Sequence, residues 1–233
     1  MKKSVGILGG MGPMATAELL YKIVNNTNAH ADSEHIRVYM DSNTTIPDRT
    51  AAILWGGKDP FPALCESLQK LISCGADCIV IPCNTSHYYS DRLQAESSVP
   101  ILNMPRITAE ECAKRFPDAK AGILATKGTL VAEIYQKALA KVGVDFVLPN
   151  EYEQDALMQV IYDGVKAGNQ PESYRQDMEF ALNGMKKRGA DYFILGCTEL
   201  PIAVKELKLQ IPYVDSLEEL ARAAVKYCGA ELK

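Results

Sequence analysis

Apolar and polar positions along the chain follow two periods. Short runs dominated by apolar and β-branched residues occur at 4–8, 36–40, 78–82, 121–125, 146–149 and 192–195. Runs of that length with turn-forming residues beside them read as strands buried on both faces. Between them lie stretches with apolar residues three and four apart, at 16–26, 61–74, 129–142 and 174–188. That is the spacing of an amphipathic helix with one buried stripe. Strand–helix alternation of this kind predicts an α/β fold with mainly parallel sheets.

The pattern also repeats. GADCIVIPCNT (75–85) is answered by GADYFILGCTE (189–199), VPILN (99–103) by IPYVD (211–215), and VGILGGMG (5–12) by AGILATKG (121–128). Three matches in one order, at nearly constant separation, indicate two similar α/β halves rather than one sheet. The expected division is 1–104 plus 213–233 for the first half and 105–212 for the second. A pseudo-two-fold axis between such halves, with the ligand held in the cleft, is the expected arrangement. The repeat sets Cys83 against Cys197, each directly after a buried strand. Carboxyl ends of parallel strands are where open α/β sheets bind ligands.

The chain has seven cysteines, at 65, 74, 78, 83, 112, 197 and 228, and histidines only at 30, 35 and 87. Their irregular spacing, with no CxxC pair, lacks the clustering a metal site needs, so no metal is expected. Free thiols are expected, most of them small core residues. Cys74 and Cys78, just before a strand, read as core, and His87 as a helix-face hydrogen-bonding group. The repeat marks Cys83 and Cys197 as different.

Two thiols on opposite faces of one α-carbon can invert it. One starts as thiolate and removes the proton, the other starts as thiol and returns one. A helix start after each cysteine, at Thr85 or Ser86 and at Thr198, is expected to favour the thiolate. Asn84, Thr85, Ser86 and Thr198 are candidate donors to a substrate carboxylate, where negative charge develops.

Composition narrows the classes further. A net charge of −4 with no basic patch offers nothing to nucleic acid. The apolar stretch after MKKS, residues 5–8, is too short for a signal core or a membrane span, so a cytoplasmic protein is expected. Residues 10–15, GMGPMA, fit a GxGxxA dinucleotide loop. The second half answers that loop with Ala125-Thr126-Lys127-Gly128, which is no nucleotide loop. A tight loop lining the cleft is therefore expected, with Met11 against the substrate and Thr126 as a polar contact at the equivalent turn.

GGMGP (9–13), IPDRT (46–50), IPCNTSH (81–87) and LGCTELP (195–201) together resemble the aspartate/glutamate racemase family over essentially the whole chain. The resemblance implies two α/β domains, catalytic Cys83 and Cys197, no pyridoxal phosphate or other cofactor, and a homodimer acting on a small amino acid. Arg49 and Lys166 match the positions at which aspartate racemases hold the substrate carboxylates. The chain departs from the glutamate branch, which has Asp-Ser-Gly near the first strand and His after the second Cys-Thr. Here those places hold Gly9-Gly10-Met11 and Glu199. Glu199 either orients or deprotonates a thiol or caps the following helix, and the sequence leaves both open. Alternatives are a glutamate or broad-specificity racemase, a related isomerase or decarboxylase of small carboxylic acids, and a non-catalytic amino-acid binding module.

Overall fold

Strand β1 (Val5–Gly9) is buried at every residue, which only a central strand covered on both faces allows. The structure, a computed structural model, describes residues 2–233. After β1 come α1 (Pro13–Asn26), β2 (Val38–Ser42), α2 (Arg49–Trp55), α3 (Phe61–Ser73), β3 (Cys78–Val80), α4 (Ser90–Ala95), β4 (Ile101–Leu102) and α5 (Met104–Arg115). The second series is β5 (Ala121–Ala125), α6 (Lys127–Val131), α7 (Ile134–Lys141), β6 (Phe146–Val147) and α8 (Glu151–Met158). It continues with α9 (Arg175–Lys187), β7 (Tyr192–Gly196), α10 (Leu200–Glu206), β8 (Tyr213–Asp215) and α11 (Ser216–Tyr227).

The chain divides into two compact units, one of residues up to Ile107 together with Leu217–Lys233, the other Thr108–Ser216. Each holds a four-stranded parallel sheet, ordered β2-β1-β3-β4 in the first and β6-β5-β7-β8 in the second. The two orders are the same when β1 is matched with β5, so the sequence repeat is a repeat of topology. VPILN and IPYVD supply the fourth strand of each sheet, β4 and β8.

Period-two alternation sorts the strand side chains onto two faces. In the first unit Val5, Ile7, Cys78 and Val80 face α1 and α11 through Leu19, Ile23, Leu220 and Ala224. Leu8, Ile79 and Ile81 face α3 and α4 through Leu64, Leu68, Leu71 and Leu93. The second unit is layered likewise, with Phe193 and Leu195 over α8 and α9, and Tyr192 and Ile194 over α7. Fully burying a side chain of this size contributes about 1.5–3 kcal/mol, which is why the all-apolar strands hold the centres of both sheets.

Two helical segments differ from expectation. The stretch 129–142 is broken into α6 and α7 at Glu133, a non-glycine residue with φ of 56°. After α8 the chain continues as a π-helical segment, Gln159–Lys166. Of the cysteines, Cys78, Cys112 and Cys228 are core residues as expected, while Cys74 caps the end of α3 and is exposed. Among the described residues no helix is long and apolar enough to cross a membrane.

Candidate active site

In the first unit the residues of interest lie at the carboxyl ends of β1, β2 and β3. The β1–α1 loop turns at Gly10, whose φ is 90°. A Cβ at Gly10 would lie 2.2 Å from the carbonyl carbon of Asn43, so only glycine fits there. Thr16, in the first turn of α1, holds the loop from below. Its hydroxyl accepts from the Gly10 N–H at 2.8 Å and donates to the Gly12 carbonyl at 2.9 Å.

Met11 at the loop's tip is buried. Its sulfur accepts from the Ser86 hydroxyl at 3.2 Å, and its carbonyl accepts from Arg49 Nη2 at 3.2 Å. Arg49 opens α2, where the Asp48 side chain caps the helix by accepting from the Ala51 N–H at 2.7 Å. The Pro47 carbonyl accepts from Arg49 Nη1 at 3.1 Å. With the Ile46 carbonyl, which accepts from Nη1 at 3.5 Å, three carbonyls thus orient the guanidinium of a residue that is only 9% exposed. Met11, Arg49 and Ser86 are brought into one contact series, with Cys83, Asn84 and Thr85 buried just ahead of Ser86 in the chain.

Cys83 does not precede a regular α-helix. A 3₁₀ turn, Thr85–Tyr89, comes before α4. His87 is clamped in it. Its Nε2 accepts from the Met104 N–H at 3.1 Å, so Nδ1 carries the proton and donates to the Cys83 carbonyl 3.0 Å away. Burial lowers the His87 pKa from 6.5 to about 4, against the raising effect of nearby backbone acceptors. It is a neutral strut between the Cys83 turn and the start of α5.

In the second unit Cys197 directly follows β7, and Thr126 follows β5, the neighbouring strand, where Ala125 pairs with Gly196. The thiol of Cys197 donates to Glu199 Oε2 at 2.9 Å, and the Thr198 hydroxyl donates to the same oxygen at 3.1 Å. Glu199 stands at the N-cap position of α10, yet its side chain caps nothing. Of the two roles left open for Glu199, the geometry shows contact with the thiol. Its other oxygen lies 3.9 Å from Lys166 Nζ, and Lys166, the last residue of the π-helical segment, sits 4.2 Å from the Tyr162 ring centroid.

These contacts overturn one expectation. The helix after Cys197, α10, starts at Leu200 rather than Thr198, and its favour toward a thiolate is outweighed. Burial first, and the Glu199 carboxylate second, push the Cys197 thiol well above its ordinary range, with Lys166 and the Glu199 backbone N–H opposing them. The local field favours the protonated form. Thr126 caps α6 by accepting from the Thr129 N–H at 3.3 Å, with the two hydroxyls 3.0 Å apart.

Sequence patterns gave little hint of two supporting residues, Thr16 and Gln154, whereas His87 makes the hydrogen bond along its own turn that was expected of it. Thr16 bonds back to Gly10 and Gly12 in the loop ahead of it, and Gln154 of α8 donates from Nε2 to the Ala125 carbonyl at 3.1 Å, tying that helix to the end of β5. Only the position of Thr16 four residues past Gly12, where a hydroxyl reaches back one helical turn, was a readable signal. Among the described residues no three His, Cys, Asp or Glu side chains are grouped to hold a metal ion.

Known proteins resemble this chain along nearly its whole length. A family model described as Asp/Glu/Hydantoin racemase matches residues 8–224. The broad specificity amino-acid racemase of Bacillus subtilis is 30% identical over 227 residues, 95% of this chain and 96% of that protein. Among solved structures, the aspartate racemase of Picrophilus torridus superposes with a TM-score of 0.85 at 33% identity, covering 99% of this chain and 96% of its own. An aspartate racemase homologue from Pyrococcus horikoshii gives a TM-score of 0.75 at 27% identity over 98% of this chain and 99% of its own. With the family model spanning nearly its whole length, this chain belongs to the Asp/Glu/Hydantoin racemase family.

Proposed function

We propose that the protein interconverts L- and D-aspartate without a cofactor, using Cys83 and Cys197 as acid and base on opposite faces of the α-carbon. The observation that carries the reading is positional. Both cysteines are buried, and both follow the strand that pairs with the first strand of its sheet on the side away from β2 or β6. A fold built twice, with one thiol at the same place each time, suits a reaction whose substrate and product are mirror images.

In this reading one thiolate takes the α-proton, and the C–H electron pair delocalises into the substrate carboxylate. The other sulfur gives its proton to the opposite face. Asn84, Thr85, Ser86 and Thr198 supply N–H donors where that charge develops. Arg49, already oriented by three carbonyls, grips one carboxylate through its planar fork, while Lys166 adds a compact positive charge. Glu199 stands between Lys166 and Cys197, and Met11 and Thr126 line the site. The same reading has the enzyme act as a cytoplasmic homodimer.

A broader substrate range is the second reading, favoured by the likeness to the Bacillus subtilis enzyme named for broad specificity. One panel separates the two: both enantiomers of aspartate, glutamate and several neutral amino acids, followed by circular dichroism with no cofactor added. Loss of optical activity confined to aspartate supports the first reading, and comparable rates across the panel support the second. Aspartate binding without any α-proton exchange would leave a binding module instead of an enzyme.

A further inference from the structure

The two cysteines repeat in position but not in surroundings. The repeat that matches Cys83 with Cys197 matches Asn84 with Thr198 and the neutral Thr85 with Glu199. One thiol therefore has a carboxylate two residues on, and the other has a hydroxyl. In the second unit this difference is a built contact. Cys197 and Glu199 are 7% and 8% exposed, and Glu199 Oε2 accepts from the thiol at 2.9 Å and from the Thr198 hydroxyl at 3.1 Å. Lys166, from the π-helical segment packed beside this loop, approaches the opposite carboxylate oxygen at 3.9 Å. Glu199 and Lys166 are the charged groups that act on Cys197 here, and they form a series of thiol, carboxylate and ammonium.

We propose that Glu199 is the positioning and proton-holding partner of Cys197, keeping it as the thiol of the resting pair. Cys83 is then the base that opens turnover of one enantiomer, while the reverse turnover starts from the less populated pair in which Cys197 is the thiolate. The proposal rests on the two-thiol reading above and deepens it. The Cys83 sulfur takes the α-proton, and the C–H electron pair stays on the substrate. The Cys197 S–H bond then breaks, its proton forms the new C–H bond on the opposite face, and its electron pair remains on sulfur. That thiolate lies beside a carboxylate, and two like charges so close are disfavoured. Solvent returns a proton to Cys197, Cys83 releases its own to solvent, and the resting pair is restored. Burial and the nearby carboxylate both raise the Cys197 pKa, in line with this assignment.

The experiment needs no substrate. The full-length protein is alkylated with iodoacetamide from about pH 6 to about pH 11, and the rate at each cysteine is read by peptide mass spectrometry, since only the thiolate reacts. Glu199→Gln keeps the size and hydrogen bonding of the side chain and removes its charge. The expected result is a Cys197 midpoint lowered by about one pH unit or more, seen as about tenfold faster alkylation at a fixed pH below the midpoint. Lys166→Gln should move the same midpoint upward. An unchanged Cys197 midpoint in Glu199→Gln, or shifts of both variants in one direction, as general loosening produces, overturns the proposal. If Glu199→Gln does not fold, Lys166→Gln decides alone, and an unchanged or lowered midpoint overturns it. Opposite shifts in a chain that exchanges no amino-acid α-proton would uphold the hold of Glu199 on Cys197 while removing the racemase reading.

Discussion

His87 makes the turn that carries Cys83 sensitive to acid. Its Nε2 must be unprotonated to accept from the Met104 N–H, and its Nδ1 proton serves the Cys83 carbonyl. The folded chain therefore binds a second imidazole proton only near pH 4, against 6.5 for the free side chain. A histidine whose folded pKa is depressed contributes no penalty above its unfolded value. As pH falls below about 6.5 the unfolded chain takes up a proton that the folded chain refuses, and stability is lost until about pH 4. With those two values the linkage relation gives roughly 2.5 kcal/mol less stability at about pH 4.5 than at about pH 7 from this residue alone. The variant His87→Gln removes the titration and keeps a polar side chain. Urea unfolding of both proteins at both pH values provides the comparison. The variant should be weaker at neutral pH by about 1–3 kcal/mol, having lost a buried hydrogen bond. Its further loss on acidification should be smaller than that of the parent by roughly 2.5 kcal/mol. Equal acid losses in the two proteins would refute the reasoning.

Two further outcomes are expected. Arg49→Lys keeps the charge but loses the planar fork anchored on the Met11 and Pro47 carbonyls, so KM for aspartate should rise about tenfold or more with kcat changed less. An unchanged KM in steady-state kinetics would remove Arg49 from substrate binding. Gly10→Ala forces a Cβ into the Asn43 backbone at positive φ, a strain of roughly 2 kcal/mol or more, expected to lower Tm by roughly 4–8 °C in calorimetry. A parental Tm would mean that the loop relaxes freely.

Much of the fold was legible because it rests on burial. All-apolar runs such as VGIL and YFIL had nowhere to go but the middle of a covered sheet, and the repeat marked two similar α/β halves. What was not legible depends on tertiary partners. Glu133 takes a left-handed conformation that no local signal marks, so one periodic stretch became two helices. The π-helical stretch that ends at Lys166 follows α8 without a break in pattern. At the site, the polar residues after each cysteine could be named from the sequence, but not their partners. The Ser86 hydroxyl goes to the Met11 sulfur, and Glu199 goes to the Cys197 thiol rather than to a helix cap. The expectation of matched, thiolate-favouring helix starts met only half its test, because a 3₁₀ turn does begin at Thr85 whereas α10 begins at Leu200 and the Glu199 carboxylate stands against the Cys197 thiol.

The central claim is that two thiols work on opposite faces of one α-carbon. Its most direct test is to incubate the protein in deuterium oxide with L-aspartate, and separately with D-aspartate, and to follow α-deuterium in each enantiomer at low conversion. The account predicts deuterium in the enantiomer being formed while the starting enantiomer remains protiated, from either side, and no racemisation by Cys83→Ala or Cys197→Ala. Deuterium appearing equally in both enantiomers, or full racemisation by either alanine variant, would contradict it.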